Sequence, residues 1–151
     1  MIKNVPDLPF IDEHDRIVAA PARVTWEAVR RVVAGSMDGV PGVIARAWGL
    51  EPARPDGPRP LDKGSALPGF RVVEATTGRR LVLDGQHRFS RYRLEFLVEE
   101  SAAGAVVRAR SYAAFPGLRG AAYRALVIGS RAHVLAVRRM LRAVARYAER
   151  G

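Results

Sequence analysis

The chain predicts an α+β fold: a curved antiparallel sheet wrapped around a long C-terminal helix, with two short helices after the first strand. Three observations carry that expectation. Four runs between residues 70 and 115 alternate apolar and polar positions at the period of a strand. The joins between paired runs are short enough to force antiparallel neighbours. After Pro116-Gly117 a helical pattern continues to Glu149, and a helix that follows a series of strands must lay its apolar side on their sheet.

Taken in order, residues 1–10, with Pro6 and Pro9, form a loose lead-in, and Ile11 to Ala20 alternates enough for a first strand. Pro21 ends it and opens a helix, since the missing N–H of proline would be unpaired at that position anyway. Ala22, Trp26, Val29 and Val33 recur there at helical spacing, and Gly35 to Gly39 is expected to break the helix. Pro41 opens a second short helix with Val43, Ile44, Ala47 and Trp48 on one side. Trp26 and Trp48 are expected to clamp the two helices to the core.

Residues 51–68 contain Pro52, Pro55, Pro58, Pro60 and Pro68, which predicts a long exposed loop, serving as a rim or merely tolerated. The strands follow at Phe70 to Thr76, Arg80 to Phe89, Tyr92 to Glu99 and Ala105 to Phe115. Leu81, Leu83, Gly85, His87 and Phe89 share one face; Tyr92, Leu94, Phe96 and Val98 share the next; Val107, Ala109, Ser111, Ala113 and Phe115 share the last. The other face carries Arg108, Arg110 and Tyr112, so the sheet is expected to be covered on one side only. At about 100° per residue, Ala122, Leu126, Gly129, Ser130, His133, Val137, Met140, Val144 and Tyr147 form the apolar side of the closing helix, opposite Arg124, Arg131, Arg138, Arg142 and Arg146.

A length of 151 residues predicts a single domain over 1–151, able to bury a core without staples. The chain has no cysteine, which excludes disulfides and thiolate metal sites, and no window approaches the roughly 20 apolar residues of a membrane span. A cytoplasmic protein is the expectation. The net charge of +10 is local: residues 1–100 hold 15 basic and 14 acidic groups, residues 101–151 hold 10 and one. Only Lys3 and Lys63 are lysine, so part of the arginine count reflects G- and C-rich codons. A solvated helix flank explains the excess, and no specific nucleic-acid partner is expected; an anionic surface or an acidic protein remain the other readings of the same flank.

The order strand, two helices, antiparallel strands, long helix, together with the segment AAPARVTWEAVRRVV at Ala19 to Val33, resembles the START-like or polyketide cyclase superfamily, the helix-grip or Bet v 1-like fold. Its members commonly begin with a strand ending in an Ala-Pro pair followed by a helical tryptophan, here Ala20, Pro21 and Trp26. The stretch GFRVVEATTGRRLVLDGQHRFSRYRLEFLVEE looks like the middle strands of the same superfamily. What the resemblance implies is a pocket between sheet and C-terminal helix for a small hydrophobic or amphipathic molecule. The superfamily includes carriers, receptors, cyclases and chaperone cofactors, so fold alone does not choose among them.

By phase, His87 and His133 point to the same interior, where a neutral imidazole can act as general base or donate to a bound carbonyl. The expected pocket comprises Leu83, His87, Phe89, Arg91, Phe96, Ser111, Leu126, Ser130, His133 and Val137. A binding protein is the first reading. An enzyme of the cyclase or dehydratase kind, with His87 and His133 as proton-transfer groups and Tyr123 as oxyanion donor, is the second, and an interaction module using the arginine-rich helix is the third. Taken alone, each histidine also reads as a buried residue satisfied by a neighbour. The spacing of His14, His87 and His133 matches no recognisable metal motif, and no cofactor is expected. The run Gln86 to Arg93 reads either as an anion-binding segment through Arg91 or as a bend with its arginines in water.

Overall fold

The computed structural model describes residues 8–126 and 131–150. In chain order it contains β1 (Phe10–Val18), α1 (Ala22–Asp38), α2 (Gly42–Ala47), β2 (Ala66–Leu67), β3 (Phe70–Thr76), β4 (Arg80–His87), β5 (Ser90–Ser101), β6 (Gly104–Ala114), α3 (Gly117–Arg124) and α4 (Ala132–Arg150). The strands form one curved, six-stranded antiparallel sheet in the order β1-β6-β5-β4-β3-β2. Hairpins join β2 through β6 into a meander, while α1 and α2 carry the chain from β1 at one border to β2 at the other. β2 is two residues long, and β1 presents Asp12, Glu13, Asp15 and Arg16 along its length.

Strict alternation in β6 buries Ala105, Val107, Ala109, Ser111 and Ala113 and leaves Arg108 and Arg110 on the outer face. There Arg110 pairs with Glu13 of β1 and lies near Glu95 of β5, Arg80 pairs with Glu74 and Glu95, and Arg93 pairs with Asp84. Cross-strand pairs of opposite charge suit the open face of a sheet whose other side is covered.

Both α1 and α4 lie on the inner face and pack on each other; α4 reaches β1 and β6, and α1 reaches β2, β5 and β6. The resulting core joins Trp26, Val29 and Val33 of α1, Leu81 and Leu83 of β4, Phe96 and Val98 of β5, and Leu141, Val144 and Ala148 of α4. It occupies one end of the two long strands. Along β6 exposure rises from 0 % at Val107 and Ala109 to 5 % at Ser111 and 9 % at Ala113, so close packing gives out toward the β4–β5 turn.

Several expectations need correction. Among the described residues the closing segment is α3 and α4 rather than one helix: Arg131 has φ of 62°, which a right-handed helix cannot contain. Gly129 and Ser130 lie outside the described residues, so their place on the stripe is not described. The buried side of α4 is Val137, Leu141, Val144, Ala145 and Ala148, rotated from the expected stripe so that Tyr147 is exposed. Helix α1 runs through Gly35 to Asp38 and ends at Gly39. One interior glycine costs only about 1 kcal/mol relative to alanine, which the burial of Trp26, Val29 and Val33 outweighs.

Residues 51–68 are not a free loop. They include β2, and Leu61 is fully buried in the core. Arg30 of α1 donates through Nε to the Leu61 carbonyl at 2.7 Å, and Arg59 donates to the Ala66 carbonyl and to the Asp38 carboxylate. Two guanidinium groups, which offer donors in a rigid fork, thus tie the carbonyls of a proline-rich segment that has few N–H donors of its own. Leu61→Ala is expected to lower unfolding free energy by about 2–5 kcal/mol, as for a core leucine. A urea denaturation midpoint unchanged in that variant would show that the segment is a passive insertion.

Candidate ligand pocket

Where the packing gives out, a pocket of about 310 Å³ opens between the N-terminal half of α4 and the sheet. Its helical wall is His133, Ala136, Val137 and Met140, spaced as one face of an α-helix. Its floor is Ser90, Tyr92 and Leu94 of β5 with Ser111 and Ala113 of β6, and Phe70, His87, Phe115 and Tyr123 close the end toward α3. Small side chains on β6, alternating inward as Ala109, Ser111 and Ala113, leave the space that longer ones would fill.

The closed end is built from rings. A two-residue turn, Arg88-Phe89, joins β4 to β5 and sets His87 opposite Ser90. Tyr123 reaches down from α3 to stack on Phe89, with ring centroids 5.6 Å apart, and meets His87 edge-on at 4.6 Å. Trp48, just past α2, contacts Tyr123, His87 and Phe89 edge-on. Offset and edge-to-face contacts of this kind are the favoured aromatic geometries. Helix α3 can sit this close because Gly120 faces the Phe115 backbone, where a Cβ would come within 2.6 Å of the carbonyl carbon. Apart from Tyr123 and buried Gly120, α3 stands largely in solvent, with Leu118 90 % exposed.

His87 is committed to local bonds. Its Nδ1 accepts the Phe89 backbone N–H at 3.0 Å, and Nε2 lies 3.1 Å from Ser90 Oγ. With Nδ1 accepting, the neutral ring carries its proton on Nε2 and donates to Ser90, whose own hydroxyl proton is left for the pocket. Burial lowers the His87 pKa below 6.5 and so favours that neutral ring. Burial raises the pKa of Tyr123, and burial together with Tyr123 raises that of Tyr92, so both phenols stay protonated donors. Tyr92 spends its proton on the Gly69 carbonyl at 2.7 Å.

The other end is polar. A register shift between Phe10 and Asp12 in β1 puts Asp12 opposite Ser111 of β6. Asp12 accepts from His133 Nε2 at 3.2 Å through one oxygen and from His14 Nε2 at 3.1 Å through the other. One carboxylate therefore orients two imidazoles from elements far apart in sequence. Among the described residues no group of His, Asp and Glu is arranged to hold a metal ion. Ser111 Oγ is buried and makes no hydrogen bond to any described residue.

Of the residues expected in the pocket, His87, Ser111, His133 and Val137 line it, and so does Tyr123, the residue named as oxyanion donor. Leu83 and Phe96 have the right phase but lie deeper, fully buried in the core, because phase gives a side and not a depth. Phe89 belongs to the turn and touches Tyr123 and Trp48 behind the wall. Arg91 is exposed on the outer face, in the odd-numbered phase of β5, and does not line the pocket, while the run Gln86 to Arg93 forms the β4–β5 hairpin end. Leu126 is 66 % exposed, and Ser130 is outside the described residues. Trp48, expected as a core clamp, is 44 % exposed and works as an aromatic buttress. Asp12 and Ser90 were not foreseen. The pairing of β1 with β6 would have pointed to Asp12, and the even-numbered phase of β5 to Ser90, which the notional start of that strand at Tyr92 left out.

No protein-family model matches the chain, and no curated protein matches it in sequence. Solved structures share the fold. One from Rhizobium leguminosarum aligns over 93 % of this chain and 94 % of its own, with TM-score 0.59 and 13 % identity. Another from Chromobacterium violaceum aligns over 91 % and 96 %, with TM-score 0.58 and 11 % identity. A third, from Mesorhizobium loti, aligns over 92 % and 96 %, with TM-score 0.53 and 11 % identity. The likeness extends over nearly the whole chain and concerns architecture alone.

The state of His87 has a thermodynamic consequence. Because its folded pKa is below 6.5, the unfolded chain binds more protons between those two values, so stability rises with pH across that window and falls on acidification. Comparing denaturation midpoints at about pH 7 and about pH 5, His87→Gln should lose less stability on acidification than the native chain. Equal losses would show that His87 carries no share of the dependence.

Proposed function

We propose that the chain is a START-like, helix-grip domain of the polyketide cyclase type that binds a small hydrophobic or amphipathic molecule between α4 and the sheet. The observation that supports this most is the pocket itself: about 310 Å³, walled mainly by apolar and aromatic side chains, with a few polar groups at its ends. Ligand sites typically measure about 300–1,000 Å³ and have this mixture of lining. A volume at the lower end favours a compact ring system over a long acyl chain. Each buried methylene-sized group would add about 0.8 kcal/mol of affinity.

A test needs a probe and a plug. N-phenyl-1-naphthylamine, an uncharged apolar fluorophore, is expected to bind the native chain with enhanced emission. Ala136 lies on the pocket face of α4 and is exposed, so Ala136→Trp should fill the space without disturbing the core. Loss of dye binding by about tenfold or more, with the circular dichroism melt unchanged, is the expected result. Undiminished binding in the plugged variant would place the dye elsewhere and remove the reading.

The pair Asp12–His133 favours one further reading, an enzyme of the cyclase or dehydratase kind. A carboxylate that fixes an imidazole beside an apolar pocket is the arrangement of an oriented general base. His87 suits that role less well, since both its nitrogens are engaged. His133→Leu is expected to retain dye binding and to abolish turnover of any substrate the native chain converts. Retained turnover would leave binding as the whole function.

A further inference from the structure

We propose that the Ser111–His133 end of the pocket is a subsite for a single ligand hydroxyl, phenolic or alcoholic, borne on an otherwise apolar ring. The inference rests on the ligand-binding reading and specifies the chemistry of its occupant. Ser111 is 5 % exposed, lines the pocket, and its Oγ has no hydrogen-bond partner among the described residues. An unpaired buried hydroxyl is costly, and each one in a folded protein calls for an explanation; of the three such groups among the described residues, Trp26 Nε1, Ser101 Oγ and Ser111 Oγ, only that of Ser111 belongs to a residue lining this pocket.

The neighbour of Ser111 determines what that something is. Asp12 stands opposite Ser111 in the β1–β6 register and holds His133 by Nε2. A carboxylate only accepts, so the proton is on Nε2, and in the neutral ring Nδ1 is a bare acceptor with no partner among the described residues. His14 takes the second oxygen of Asp12, which holds the carboxylate between the two imidazoles. The subsite therefore offers one donor, Ser111 O–H, and one acceptor, His133 Nδ1. A hydroxyl is the small neutral group that satisfies both at once. A carbonyl would leave Nδ1 unpaired, and a hydrocarbon would leave both unpaired. Around them Leu94, Val137 and Met140 supply the apolar walls for the ring.

Naphthalene and 2-naphthol differ by that one group and test the assignment on the full-length chain by calorimetry or ligand fluorescence. The native chain is expected to bind 2-naphthol about tenfold more tightly than naphthalene. In Ser111→Ala that preference should shrink to about threefold or less while naphthalene affinity is unchanged. The variant's melting temperature should be equal to or above the native value, because removing an unpaired buried hydroxyl costs nothing. Equal affinity of the native chain for the two probes overturns the subsite and leaves the pocket standing. Failure of both probes to bind overturns the subsite and the binding reading together. A preference that survives Ser111→Ala, or a variant clearly less stable than the native chain, shows that Ser111 bonds internally and also overturns the proposal.

Discussion

The structure depends on a mismatch of lengths. Strand β5 has 12 residues and β6 has 11, so at about 3.3 Å per residue the middle of the sheet extends roughly 40 Å. Helices α1 and α4, with 17 and 19 residues at a rise of about 1.5 Å each, run only about 25 and 28 Å. Helices α1 and α4 spend their shared apolar surface on one end of those strands, where Phe96, Val98, Val107 and Ala109 pack with Trp26, Val33 and Val144. The remaining end must be covered by something else. Tyr123, Trp48 and Phe89 shield its rim as a cluster of rings, and the N-terminal turns of α4 stand over its middle.

Helix α4 serves both ends from one face. Leu141, Val144, Ala145 and Ala148 belong to the core, whereas His133, Ala136 and Met140 face the pocket, and Val137 belongs to both. The side chains differ accordingly: Leu141 and Val144, with two alanines, pack in the core, whereas a histidine, an alanine and a methionine border open space. The proline-rich segment plays the same supporting part for α1, with Leu61 inserted from below and Arg30 and Arg59 binding its carbonyls. A segment that composition marks as loop is thereby part of the interior.

Much of this was legible in the chain because strands advertise themselves twice, by alternation and by their turns. The bounds expected for β3 through β6 differ from those observed by a few residues at most, and the inward phase of His87, Ser111 and His133 followed from counting. What stayed hidden depends on distance in space. Depth along a strand separates Leu83 and Phe96 from Ser111, though all share one phase. The bend that sets Phe89 aside is a property of the β4–β5 register, and the meeting of Asp12 with His133 joins residues from the first strand and the last helix. The left-handed position is an arginine and not a glycine, so the helical pattern of the sequence runs straight across the break at Arg131.

The borders of the sheet have a consequence for the chain in a crowded solution. An unpaired strand edge is a template on which another chain can grow. At one border the two-residue β2 masks the start of β3, and at the other the edge is set with Asp12, Glu13, Asp15 and Arg16, even where Ile17 is 65 % exposed beside them. Among the described residues, a protein that keeps part of its interior unfilled thus guards its two seams by brevity at one and by charge at the other.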